Sequence, residues 1–375
     1  MNNIYLDNAA TTRVDDEVFV SYCQLIKDMY YNADSLYSQG ATVNKYIEQA
    51  RERIANLLCV SSKEIIFTSG SSEGNNFIIR GLVDYYHNPK KRLITTCVEH
   101  SSVYNVFKYY EQLGYDVIYL DVDKDGVLDY HQLEKALNDD TLLVSIMAVN
   151  NEVGTIFDLN KINEIVRSKS KAYIHCDGTQ ALGKIDIDLS LVDFASFSMH
   201  KINGLKGSGF VYKKNNINLV PLIIGGQQEF GYRGGTSNAP CIIVMAKTLR
   251  LILEKKKRLT SYIQELHDYA IERLLSMDKV HINSKNSSNF IINFYLEDIS
   301  SQVLINALDA RGIYISGKST CSSKKKEDSK VLIAMGFSEL AAHNSVRISF
   351  DYHSSKKDID ILVNNLLEIR GLYAK

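Results

Sequence analysis

Asp177 closes the run Tyr173-Ile-His-Cys-Asp177, and Lys201 follows downstream in Ser198-Met-His-Lys201. A lysine ε-amine forms a Schiff base with an aldehyde, and a carboxylate keeps a pyridine nitrogen protonated so that the ring acts as an electron sink. Together they can hold and use pyridoxal phosphate. Gln180, just past Asp177, can donate a hydrogen bond to the cofactor's phenolic oxygen. Alternate side chains on an extended segment face one side, so Ser198 and His200 can both reach a phosphate beside Lys201. Ser71 and Ser72, in Thr68-Ser-Gly-Ser-Ser-Glu-Gly-Asn-Asn76, stand between a strand and a helix. Unpaired amides and the helix dipole bind phosphate there.

Other residues add to this set. His100, in Cys97-Val-Glu-His100, can stack on a flat ring and move protons. Asn151 lies past a buried run and can contact ring or substrate. Arg347 sits inside the apolar run Ser345–Phe350 and needs an anion, either a substrate carboxylate or an internal acid. The glycine-dense segment Gly225–Thr236 is either a plain link or a piece offered to a phosphate across a dimer interface. Cys321, in Gly317-Lys-Ser-Thr-Cys-Ser-Ser-Lys-Lys-Lys326, lies among small residues and lysines that favour thiolate. The other five cysteines lie in or beside apolar segments and read as structural. Each candidate alone has a bland alternative: an N-cap aspartate, a solvated lysine, a capping serine, a structural histidine. The conjunction carries the argument.

These residues need a frame that brings strand ends together. β-rich runs at 64–67, 92–97, 115–120, 142–147, 172–176, 194–198 and 209–213 alternate with helical patterns at 43–58, 72–86, 101–113 and 159–168. That alternation predicts βαβ units and a mostly parallel sheet, whose ligands bind at the carboxyl ends of the strands. A long helix is expected over 241–276. Strands at 290–295 and 346–350 and helices at 300–311 and 356–372 then make a smaller α+β unit. At 375 residues, two domains are expected: 15–255 binding the cofactor, and 1–14 with 256–375 carrying the Cys321 loop.

A net charge of −1 gives no reason to expect nucleic acid as a partner. No apolar run reaches membrane-spanning length, and the first residues do not read as a secretory signal. The six cysteines have neither paired nor metal-ligand spacing, which suits a reducing cytoplasm and no metal site.

Taken together, YLDNAATT, FTSGSSEGNN, the EH of VEHSSV, VSIMAVNNEVG, HCDGTQALGK, SFSMHK, GGQQEFGYRGGTSN and CSSKKK resemble the cysteine desulfurases of the iron–sulfur-cluster and nitrogen-fixation type, in the class V aminotransferase family. The resemblance covers nearly the whole chain. It implies the fold type I of pyridoxal-phosphate-dependent transferases: a large domain with a mostly parallel seven-stranded sheet flanked by helices, plus a smaller α+β domain. It implies L-cysteine as substrate, L-alanine as product, and a persulfide on Cys321 for a sulfur acceptor in iron–sulfur assembly or tRNA thiolation. By this resemblance Lys201 is the Schiff-base lysine, Asp177 the pyridinium partner, Gln180 the phenolic-oxygen donor and His100 the stacking acid/base. Ser72, Ser198 and His200 hold the phosphate with backbone help from Ser71 and Met199. Thr236 reaches the neighbouring subunit's cofactor, implying a homodimer, and Asn151 and Arg347 meet the substrate. The chain departs from the family pattern at Met199, Leu205, Tyr37 and the GKSTC loop. A selenocysteine lyase, a small-amino-acid transaminase, a non-catalytic scaffold and a thiol hydrolase using Cys321 with His100 are the alternatives.

Overall fold

The computed structural model describes residues 3–88, 91–317 and 328–373. A short strand, β1 (Ile4–Tyr5), precedes helices α1 (Asp16–Asp28) and α2 (Ser38–Leu57). Strand and helix then alternate: β2 (Ile65–Thr68), α3 (Ser71–Tyr86), β3 (Arg92–Thr96), α4 (Ser101–Gln112), β4 (Asp116–Leu120), α5 (Tyr130–Ala136), β5 (Thr141–Ser145), α6 (Leu159–Lys169), β6 (Tyr173–Asp177), β7 (Phe194–Ser198), β8 (Gly209–Lys213). Helix α7 (Ala239–Leu275) leads to β9 (Val280–Ile282), β10 (Ile291–Leu296), α8 (Ser301–Asp309) and β11 (Ile313–Tyr314). Last come α9 (Lys330–Ala334), α10 (Glu339–Asn344), β12 (Ser345–Ser349) and α11 (Lys356–Tyr373).

The main sheet has the order β2-β8-β7-β6-β5-β3-β4. It is parallel except for β8, which runs antiparallel to both neighbours. Successive side chains serve opposite faces. Ile65 and Phe67 join the apolar cluster shared with α2, α6 and α7, whereas Ile66 joins the one shared with α3 and α4. Leu93 and Ile94, and Leu143 and Val144, divide the same way. Being covered on both faces, these strands read as nearly continuous apolar runs. A third cluster gathers Ile4 and Leu6 with residues from Leu266 to Ile369 around the antiparallel sheet β12-β10-β9.

All seven strands expected of the main sheet are present, within a residue or two. Helix α2 begins at Ser38 rather than at 43. Its first turn, Ser38-Gln-Gly-Ala-Thr42, has no apolar period, and its N-cap Tyr37 makes no side-chain cap. Helix α1 gave no signal because Val18 is its one buried residue. Among the described cysteines, Cys23 and Cys59 are exposed, which corrects the expectation of structural roles for both. Cys59 sits at φ 57° in the turn after α2, and Cys23 lies on that weakly buried α1. No helix among the described residues is long and apolar enough to cross a membrane.

Candidate active site

Strands β3, β5, β6 and β7 are parallel, and β2 points the same way because β8 reverses between it and β7. Their carboxyl ends therefore meet on one edge, where open α/β sheets bind ligands. A cavity of about 260 Å³ opens there, lined by Ser71, Ser72, His100, Asn151, Asp177, Gln180, His200, Lys201 and Arg347 together with Ala9, Ala10, Met147, Val149 and Thr179.

Asp177 is buried, and donors reach both of its oxygens. Oδ1 accepts from the Thr179 N–H at 3.0 Å and from Thr179 Oγ1, and Oδ2 accepts from Asn75 Nδ2 at 2.8 Å. Lys201 Nζ donates to the carbonyls of Ala9 at 2.8 Å and Ala10 at 2.6 Å. Gln180 Nε2 donates to the same Ala9 oxygen at 2.8 Å, while its Oε1 accepts from Lys184 Nζ at 2.9 Å. The segment around Ala9 thus orders two of the candidate cofactor ligands. His200 Nδ1 lies 3.1 Å from Thr11 Oγ1. Burial, with Lys201, Lys206 and Lys184 nearby, pushes its pKa down to about 4, so its ring is neutral at neutral pH.

His100 caps α4: its Nδ1 accepts from the Ser102 N–H at 3.2 Å and lies 2.8 Å from Ser102 Oγ. Glu99 beside it is buried and accepts from the Met147 N–H and from Thr96 Oγ1. Burial pushes its pKa up to about 8, with Asp177 adding to the rise.

Arg347 is 2 % exposed and donates to Asp7 Oδ1 at 2.6 Å and to the Asn151 carbonyl at 2.7 Å. The internal acid is therefore in place, and burial nevertheless raises the pKa of Asp7 above its ordinary value. Arg347 Nε is buried without a hydrogen-bond partner, which leaves donor capacity beside the cavity.

Three candidates, Ser198, Met199 and Thr236, are not among the residues lining this cavity, although Ser198 Oγ lies beside the α3 N-cap, 3.2 Å from where a Cβ on Gly70 would stand. The Met199 N–H, expected to help a phosphate, donates instead to the Ser208 carbonyl at 3.1 Å, because β8 turns back along β7 there. The Met199 side chain is in the core, and a Cβ on Gly204 would lie 2.7 Å from its own, so that glycine makes room for it. Thr236 lines a different cleft with Ser69, Gly207 and Arg233. Cys321 lies outside the described residues. Sequence reasoning passed over Thr179, Lys184, Glu99 and Asn75. All lie inside quoted motifs, but a polar residue's burial has no local signature.

The residues present fit pyridoxal phosphate. The N-cap of α3 is Gly70, at φ +146°, with no side chain to cap the first-turn amides at Ser71 and Ser72, which suits an anion. An amine, a buried carboxylate and an amide stand around the same cavity.

The chain is similar to known proteins over nearly its whole length. The chain is 38 % identical, over 99 % of its length and 98 % of the other's, to a NifS/IcsS protein homolog of Lactobacillus delbrueckii subsp. bulgaricus. It is 35 % identical, over 98 % of its length and 91 % of the other's, to cysteine desulfurase IscS of Methanosarcina thermophila. A solved NifS-like protein, 34 % identical, superposes with a TM-score of 0.93 over 99 % of this chain and all of that one. The family model described as aminotransferase class-V matches residues 4–362, and the chain belongs to that family.

Proposed function

We propose that this chain is a pyridoxal-phosphate-dependent cysteine desulfurase that takes sulfur from L-cysteine and passes it to an acceptor protein. The observation that carries this reading is the convergence of Lys201, Asp177, Gln180, His100 and Arg347 on one cavity. Lys201 would hold the cofactor through Nζ, with Asp177 toward the pyridine nitrogen, Gln180 toward the phenolic oxygen, and Ser71, Ser72, Ser198 and His200 toward the phosphate. Bound pyridoxal phosphate supplies an electron sink for the pair left when the substrate α-proton departs.

The chain's own groups do the rest. Arg347 receives the substrate carboxylate and Asn151 stands beside it. Lys201 Nζ takes the α-proton, and His100 serves as the acid/base at the ring. The Cys321 thiolate attacks the substrate sulfur. One cysteine and one enzyme thiol yield one alanine and one enzyme persulfide, which splits a hard transfer into two easier ones. Thr236 serves the partner subunit's phosphate in a homodimer. The acceptor belongs to iron–sulfur assembly or tRNA thiolation, and the enzyme works in the cytoplasm without nucleic acid or membrane contact. The division into a cofactor domain (15–255) and a second domain (1–14 with 256–375) belongs to the same proposal, supported by the separate apolar cluster around β10 and β12.

The test is alanine and sulfide release from L-cysteine with added reductant. Wild type should give equal amounts of both. Cys321→Ser should stay yellow and inactive, and Lys201→Ala should lose both colour and activity. A yellow wild type that leaves cysteine untouched would overturn the substrate assignment.

A further inference from the structure

Asn75, on the buried face of α3, is fully buried. Its Nδ2 donates to Asp177 Oδ2 at 2.8 Å and to Ser102 Oγ at 2.9 Å. An amide nitrogen has two hydrogens, so both are spent on these two acceptors. The amide cannot be turned over, because Oδ1 would then face the Asp177 carboxylate. In the observed orientation Oδ1 is buried with no hydrogen-bond partner, a cost that only a demanding pair of acceptors offsets.

The polarity continues along the chain of contacts. Ser102 Oγ accepts from Asn75 and has its own hydrogen to give, 2.8 Å from His100 Nδ1. The Ser102 main-chain N–H, which can only donate, also points at Nδ1 from 3.2 Å. Nδ1 is therefore an acceptor, and the neutral imidazole carries its proton on Nε2. Both ends of the relay are set by groups that cannot reverse, a carboxylate and a peptide N–H.

We propose that Asn75 is a positioning residue whose single amide orients Asp177 and directs the Ser102 hydroxyl hydrogen onto His100 Nδ1, reinforcing the tautomer protonated at Nε2 that the Ser102 N–H also selects. One buried side chain from α3 thereby aligns two groups that line the cavity, so that His100 presents a donor and Asp177 a fixed carboxylate. The consequence for catalysis rests on the proposed function; the orientation itself does not.

Two measurements test it. Nitrogen-15 spectra of histidine-labelled wild type without cofactor, with His100 assigned by His100→Gln, should show Nδ1 unprotonated and Nε2 protonated. A protonated Nδ1 overturns the proposal. Because this readout needs no cofactor, it decides the matter even for a protein that binds no pyridoxal phosphate. The second measurement is pyridoxal phosphate affinity in a double-mutant cycle. Asn75→Ala should weaken binding about tenfold or more, the worth of a hydrogen bond to a charged group. In an Asp177→Asn background the same change should cost only about twofold, since neighbours in one network do not add. Equal losses in both backgrounds would mean that Asn75 is merely structural. Should Asn75→Ala fail to fold, Asn75→Ser takes its place, since a hydroxyl has one hydrogen for two acceptors.

Discussion

Lys184 Nζ donates to Gln180 Oε1 at 2.9 Å, and both side chains are buried. As an ammonium, lysine offers donors only, so in that form it selects the amide oxygen and turns Gln180 Nε2 toward Ala9 and the cavity. Burial, with Lys201 and Arg347 nearby, pushes the Lys184 pKa down to about 7. Between that value and the ordinary lysine range the unfolded chain holds a proton that the folded protein has shed. Stability therefore rises with pH across the window. Lys184→Met should abolish that rise in urea unfolding of the unloaded protein, and it should weaken pyridoxal phosphate binding about tenfold by freeing the amide. Unchanged cofactor affinity would show that Gln180 needs no pin.

Glu99 gives the opposite sign. Its carboxyl is pushed up from 4.5 to about 8, and its Oε2 is buried without a partner. Across that range the folded protein holds a proton that the unfolded chain has lost, so this group makes stability fall as pH rises. Glu99→Gln keeps the shape and removes the titration. Unfolding free energy measured from pH 5 to 8 should decline less steeply in the variant than in wild type. Parallel curves would show that Glu99 is ionised in the fold.

Arg51 and Glu229 form a buried pair, with Arg51 Nη1 2.7 Å from Glu229 Oε2 and Nη2 2.9 Å from Oε1. Glu229 Oε2 also accepts from the Phe67 N–H at 2.8 Å. Glu229 and Phe230 hold φ near 50° and 59°, costly for side-chain-bearing residues, so the pair pins a strained turn of the Gly225–Thr236 segment. Glu229→Gln removes the buried carboxylate and leaves the guanidinium only the exposed Glu48, 3.2 Å away, as an anionic partner, and should cost about 3 kcal/mol in denaturant unfolding. The Arg51→Met, Glu229→Gln double variant should cost less than the sum of the singles. Additive losses would show the two residues act independently.

Gly209 lets β8 approach the phosphate end of the site. A Cβ there would lie 2.4 Å from the Phe197 carbonyl and 2.6 Å from Gly70 Cα. Both are backbone atoms, so Gly209→Ala must shift the turn before α3. It should cost about 1–3 kcal/mol of stability and weaken cofactor retention, read by dialysis against buffer lacking pyridoxal phosphate. Full retention at wild-type stability would mean that this turn has slack.

The strands were legible because burial on both faces leaves long apolar runs, as in Leu142–Ile146. The site was legible where a residue type is unusual for its place, such as Arg347 in an apolar strand or Asp177 at a strand end. Helix α1 was not, since one buried residue makes no period. Nor were Asn75 and Lys184, whose partners lie on other elements or depend on burial that no local pattern reveals.

By itself the sequence determined the class of sheet, the motifs at its strand ends, and the chemistry those residue types can perform. The tertiary structure alone decided which acceptor each donor serves. It sent the Met199 N–H to Ser208, paired Arg347 with Asp7, and placed Asn75 between Asp177 and Ser102. The reason is physical. Apolar periodicity is a local property of the chain, whereas a buried polar group takes whichever partner the fold leaves within about 3 Å.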